Sequence, residues 1–230
     1  MINHHPDDNL LTEYASGAIA TAVGIVICAH LQTCSQCRQR VEQFNRLGAA
    51  ILNQSVAEPV LQETFDQLMN RIRNQAVSGK NTDQIKKAAE LPAAYVNDPL
   101  MKRVPKVIAK LLPRDGKIKW QGAGGSLKTA RLKTGQQDYE VSFQKISSGG
   151  KVFEHGHRGL EVTLVLHGSF SDEDGIYSEG DFLVRTPGEV HRPTATQNQD
   201  CLCISVVEAP VKLTGFFGKL VNPFLPFKPA

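Results

Sequence analysis

Apolar positions recur at helical spacing along roughly the first third of the chain. Leu10, Leu11, Tyr14 and Ala18 follow Asp7 and Asp8, residues suited to an N-cap and a first turn. Ile19 to Leu31 is apolar on most sides, as in a buried second helix. The spacing predicts a third helix from Ser35, with Val41, Phe44, Leu47 and Ile51 turned inward. After a turn near Glu58-Pro59, a fourth carries Leu61, Phe65, Leu68 and Ile72 on one face. With Met69 these make a broad apolar stripe, and two readings of it stay open: core packing, or a surface that grips a partner protein.

The texture then changes. Val77 to Thr82 is polar, and Pro92, Pro99 and Pro105 punctuate the stretch beyond it. From Lys117 short β-type runs alternate with turns: Leu127–Lys133, Tyr139–Ile146, Val152–His155, Leu160–Leu166, Gly175–Ser178, Asp181–Arg185 and Leu202–Glu208. Many short strands with glycine turns predict a sandwich or jelly-roll barrel. The expected organisation is therefore multidomain α + β. It comprises a helical domain over 1–85, a linker over 86–116, a barrel over 117–208 and an apolar tail over 209–230. Phe216, Phe217, Phe224 and Phe227 in that tail suit barrel packing, edge cover or self-association equally.

Charge narrows the partners. Residues 1–85 hold 6 Lys/Arg against 8 Asp/Glu, a net of −2, and so lack the basic footprint of a nucleic-acid binder. Residues 86–120 hold 9 against 3, a net of +6, but offer no interleaved aromatics to stack bases, and a solvated linker is the better reading. Five cysteines without a secretory signal point to a reducing compartment, hence a cytoplasmic protein using thiols for metal or redox work. The apolar run Ala18 to Ala29 is too short to span a bilayer.

The chemistry-bearing stretch of the helical part is His30-Leu-Gln-Thr-Cys34-Ser-Gln-Cys37. Its spacing puts one imidazole and two thiols on one helical face, or leaves the thiols together across a short break. This soft set suits tetrahedral zinc and lacks a fourth ligand, for which His4 and His5 are the nearest candidates. A zinc ion there would staple four short helices whose core is small.

The barrel carries a second set: His155-Gly-His157, Glu161 four residues on, and His191. Residues two apart on a strand share a face, so the two imidazoles converge, with Glu161 arriving after a turn and His191 from a neighbouring strand. Three imidazoles and a carboxylate suit a first-row divalent metal; zinc, manganese, iron and nickel are all admissible.

The run Gly149-x5-His155-x-His157-x3-Glu161-x6-Gly168 resembles the first cupin motif, and Gly180, Gly188 and His191 match the spacing of the second. Pro187 sits one place late, with Thr186 in its slot, and Ala195 replaces the usual asparagine; neither change removes a ligand. A helical His…His-x3-Cys-x2-Cys segment followed by a cupin resembles the ChrR family of zinc-binding anti-sigma factors over about residues 1–208. That resemblance implies His5 rather than His4 as the fourth zinc ligand. It also implies sequestration of an extracytoplasmic-function sigma factor by residues 1–85. The cupin would then sense singlet oxygen or organic peroxides, and the protein would not be an enzyme. The rival reading is a cupin oxygenase with a zinc-stabilised helical domain attached.

Cys201-Leu-Cys203 lies on an expected late strand, with both thiols on one face. They read equally as small core residues or as a pair open to oxidation, and their place after His191 resembles the family pattern. Cys28 belongs to the apolar run and reads as core.

Overall fold

The computed structural model describes residues 2–56, 59–76, 91–123, 125–214, 222, 227 and 229. Helix α1 (Asp8–Ser16) starts where its acidic residues predict: Asp7 is the N-cap, and its carboxylate accepts from the Leu10 amide at 2.8 Å. Helix α2 (Thr21–Thr33) buries Ala22, Val23, Val26, Ile27, Ala29 and His30, as its apolar sequence requires. Cys34 closes α2 and also caps α3 (Ser35–Gln54), its Sγ accepting from the Cys37 amide at 3.4 Å. The helix breaks at the first thiol, and the second stays within reach.

All four helices form, the last being α4 (Gln62–Ala76); α1, α2 and α3 pack on one another, but the far half of α3 and α4 keep large apolar residues exposed. Val41 of α3 is buried, whereas Leu47 and Ile51, expected to face inward, are 59% and 63% exposed. On α4, Phe65, Leu68 and Ile72 are 49%, 52% and 50% exposed. The apolar surface on which the helical part packs is taken by α2, with α1 and the first half of α3 joining the same core.

That surface is a β-sheet. The strands are β1 (Gln121–Gly122), β2 (Leu127–Leu132), β3 (Glu140–Ile146), β4 (His155–Gly156), β5 (Glu161–His167) and β6 (Ser169–Ser171), followed by β7 (Ile176–Ser178), β8 (Phe182–Arg185), β9 (Val190–His191), β10 (Thr194–Ala195), β11 (Cys201–Val207) and β12 (Lys212–Leu213). They pair antiparallel in three sheets, ordered β1-β2-β3-β11-β5-β8, β10-β6-β7 and β12-β4-β9. Between β5 and β6 the chain turns at Gly168, φ 72°, where a Cβ would lie 2.3 Å from the Asp200 carbonyl oxygen.

The large sheet is buried on both faces, and period two sorts its residues. Val162 and Leu164 of β5, with Leu202, Ile204 and Val206 of β11, join the helices in one core. Val165, Cys201 and Cys203 point the other way, into a second cluster with Phe170 and Tyr177. Helix α2 lies across β5 and β11. At about 1.5–3 kcal/mol per buried large aliphatic side chain, Val23, Val26 and Ile27 bind the helical part firmly to the barrel.

The stretch expected to be a solvated linker is packed instead. Tyr95, Met101, Val104, Ile108, Ala109 and Leu112 enter the helix–sheet core, and the short helix α5 (Lys106–Ala109) contacts α2. Pro92 and Pro105 precede short helical turns, where a missing amide costs nothing. Residues 77–90, with the polar Val77–Thr82 run, lie outside the described residues, as do Phe216, Phe217 and Phe224 of the tail. Among the described residues, no single helix is long and apolar enough to cross a membrane.

Candidate metal centres

His30 occupies the last turn of α2 and is wholly buried. Its Nδ1 donates to the Gly180 carbonyl on the barrel at 2.9 Å, which leaves the Nε2 lone pair facing Cys37 Sγ at 3.3 Å. His5 Nδ1 lies 3.4 Å from both Cys34 Sγ and Cys37 Sγ. A tetrahedral zinc with bonds of about 2.1 Å to nitrogen and 2.3 Å to sulfur sets such ligands about 3.5 Å apart. The four side chains fit that ion. His4 turns away: its Nδ1 is 3.4 Å from Asp181 Oδ2, and its ring lies on Tyr177. Burial, then the neighbouring Cys34 thiol, pushes the Cys37 thiol up to about 12 in the metal-free chain. Burial likewise lowers the His30 imidazole, favouring the neutral ligand form, with the bond to Gly180 acting in the opposite direction.

The second group is His155, His157, Glu161 and His191, all buried, with one ligand atom from each within 4.8 Å of the others. His155 on β4 is paired directly with His191 on β9, and Glu161 opens β5. The tautomers follow from the bonds on the far side of each ring. His155 Nδ1 donates to the Phe153 carbonyl at 2.8 Å, and His191 Nδ1 to Asp172 Oδ2 at 2.9 Å. Both Nε2 atoms therefore face each other, 3.1 Å apart. Two nitrogen lone pairs so placed repel unless a cation lies between them, and metal bonds of about 2.1 Å give that spacing. His157 Nε2 is buried without a hydrogen-bond partner, while its Nδ1 is 3.0 Å from Glu161 Oε2. Burial raises the Glu161 carboxyl, but the bond to His157 and the neighbouring His155 imidazole outweigh it and hold the group at about 2. The donor set fits a divalent metal.

Three supporting residues were not visible in the local pattern. Asp172, buried in the β6–β7 turn, orients His191, and Arg185 pins that carboxylate at 2.7 Å. Ser205 on β11 donates to Glu161 Oε1 at 2.7 Å. The only sequence signal for Ser205 is its even spacing from Cys201 and Cys203 on an inward face.

Beside the barrel cluster lies a cavity of about 390 Å³, walled by Val152, Phe153, Phe170 and Cys203 and reaching His155, Glu161 and His191. The helical cluster offers four candidate protein ligands, His5 half-buried and the other three buried. Cys201 and Cys203 are buried, with sulfurs 3.7 Å apart. The contact with Cys201, together with burial, raises the Cys203 thiol well above its usual range. Exposed thiolates are not what this strand presents.

A family model described as the ChrR cupin-like domain matches residues 109–211. The anti-sigma-E factor ChrR of Cereibacter sphaeroides is 32% identical over 224 residues, covering 97% of this chain and 98% of that protein. The crystal structure of Rhodobacter sphaeroides SigE in complex with the anti-sigma ChrR aligns at a TM-score of 0.67 and 28% identity, over 90% of this chain and all of the other.

Proposed function

This chain belongs to the ChrR family, and on that premise we propose that it is an anti-sigma factor holding an extracytoplasmic-function sigma factor on its helical part. The observation that carries this reading is the unburied stripe. Leu61, Phe65, Leu68 and Ile72 share one face of the α4 region, with Leu47, Ile51 and Leu52 exposed on α3. Large apolar residues at helical spacing, left uncovered among the described residues, suit a protein partner.

In this reading His5, His30, Cys34 and Cys37 hold a zinc ion. With four protein ligands that ion is structural, fixing α3 against α2 so that the gripping surface exists. His155, His157, Glu161 and His191 hold a second divalent metal, with zinc, manganese, iron or nickel compatible with the donors. The sigma-binding part lies within residues 1–85 and the sensing part within 117–208, joined by 86–116. The barrel responds to singlet oxygen or organic peroxide, and the cavity is where a small molecule would meet the site. Cys201 and Cys203 enter this scheme through that cavity, since Cys203 borders it. Release requires that the sensing state bind the sigma factor less tightly than the resting state does. Such a partner places the protein in the cytoplasm, with a binding role and no reaction to catalyse.

The test is purification of the tagged protein from its host beside a Phe65→Asp/Leu68→Asp variant. A sigma factor that co-purifies with the first and not the second, at unchanged metal content, is the expected result. Equal recovery from both would remove the stripe from the reading.

One observation favours a second reading, a cupin oxygenase: the cavity opens directly onto His155, Glu161 and His191. Metal-dependent oxygen uptake by the purified protein with a small organic substrate would support it.

A further inference from the structure

Three ligands of the helical cluster are preset by their own helices, and the fourth is not. His30, Cys34 and Cys37 sit on α2, its cap and α3. His5 lies in the segment before α1, outside any helix or strand. Its neighbours are held by the barrel. The Asn3 and His4 amides both donate to Asp181 Oδ1, at 2.7 and 3.0 Å, and the Phe182 amide donates to the His4 carbonyl at 3.0 Å. Ile2 lies over Gly180, φ 93°, where a Cβ would come within 2.8 Å of its side chain.

Asp181 is wholly buried, and its second oxygen accepts from the Ser178 amide at 2.8 Å. That bond alone would serve the β7–β8 turn. A buried carboxylate needs more partners than one, and here the others come from the far end of the chain. The same turn supplies the Gly180 carbonyl that orients His30. One barrel turn therefore meets the cluster from two sides.

We propose that Asp181 is the positioning residue for His5: the barrel builds the cradle that presents the fourth ligand, so part of the helical cluster's grip on its metal is set by the sensing half. The inference rests on the reading that His5, His30, Cys34 and Cys37 bind zinc. It adds what completes that site.

Cobalt(II) added to the reduced, metal-free full chain is the probe, because thiolate-to-cobalt absorption reports the cysteine site while the His/Glu site stays silent. His5→Ala and Asp181→Ala should each weaken cobalt binding about tenfold or more, the range for partners that orient a ligand. The double variant should bind no more weakly than His5→Ala alone, since Asp181 acts through His5; general loosening of the fold would add a further loss. Asn3→Pro removes one donor to Asp181 and leaves the barrel untouched, so it decides the matter if Asp181→Ala does not fold. It should weaken binding in the same direction, by less. Wild-type affinity in Asp181→Ala and Asn3→Pro beside a weak His5→Ala would overturn the proposal, as would an additive double variant. No thiolate band in the wild type, or full affinity in His5→Ala, would overturn the ligand reading itself.

Discussion

The helical cluster takes three of its four candidate ligands from the eight residues His30 to Cys37, whereas the barrel cluster gathers its four across His155 to His191, three of them on β4, β5 and β9 and His157 just past the end of β4. The first is soft, with two thiols, and offers four protein donors, a full tetrahedral set. The second is hard, made of imidazoles and a carboxylate, and borders a cavity of about 390 Å³. A site that must only hold shape benefits from having every position filled by protein. A site that must respond benefits from a position that something else can reach. In the proposed reading, holding falls to the helices and responding to the barrel.

The contrast breaks most sharply at the thiols. Cys34→Ala/Cys37→Ala should abolish metal at the helical cluster and reduce partner binding by more than about a hundredfold, because apparent zinc binding energies near 10 kcal/mol are lost from the fold. Metal content and co-purification read this directly. His155→Ala/His191→Ala should strip the barrel metal yet leave the resting complex intact, while the complex no longer dissociates on peroxide. If instead both double variants lost the partner alike, the division of labour would be wrong.

The stripe gives the next effect. Phe65→Asp alone should cost about 2 kcal/mol of partner affinity, about thirtyfold by titration, with thermal stability unchanged because Phe65 is half exposed. In the barrel, Asp172→Asn removes the carboxylate that orients His191 and should weaken metal there about tenfold or more, leaving the cysteine site untouched. Protons sharpen the contrast last. Cys37 is pushed up to about 12 without metal, so binding at the helical cluster must displace protons and weakens as pH falls. Glu161, held near about 2, has none to lose at neutral pH. An indicator dye should show proton release on metal addition that falls in Cys37→Ala.

Much of this molecule was legible in its residues. The cap at Asp7, the start of α3 at Ser35, the buried α2 and the long strands β2, β3, β5 and β11 follow local period and turn chemistry. Short strands such as β9 and β12 did not show, since two residues carry no period. Helical period also placed Leu47 and Ile51 on the inward face of α3, and the face was right while the burial was not. Period says which residues lie together; it does not say whether anything lies opposite.

The division between sequence and tertiary structure comes from that limit. Spacing alone brought out the candidate sets His30/Cys34/Cys37 and His155/His157/Glu161, because residues so few positions apart stay together even though the helix breaks at Cys34 and β4 ends before His157. The geometry separating His5 from His4, the recruitment of Asp172 and Ser205, the burial of residues 91–112 and the exposure of α4 belong to the fold. Each depends on which distant surface arrives, and that is set by how the large sheet fills both of its faces. Asp181 binding the amides of Asn3 and His4, at the other end of the chain, is the plainest case. No local pattern carries a contact made by residues so far apart, because only the packed core brings them together.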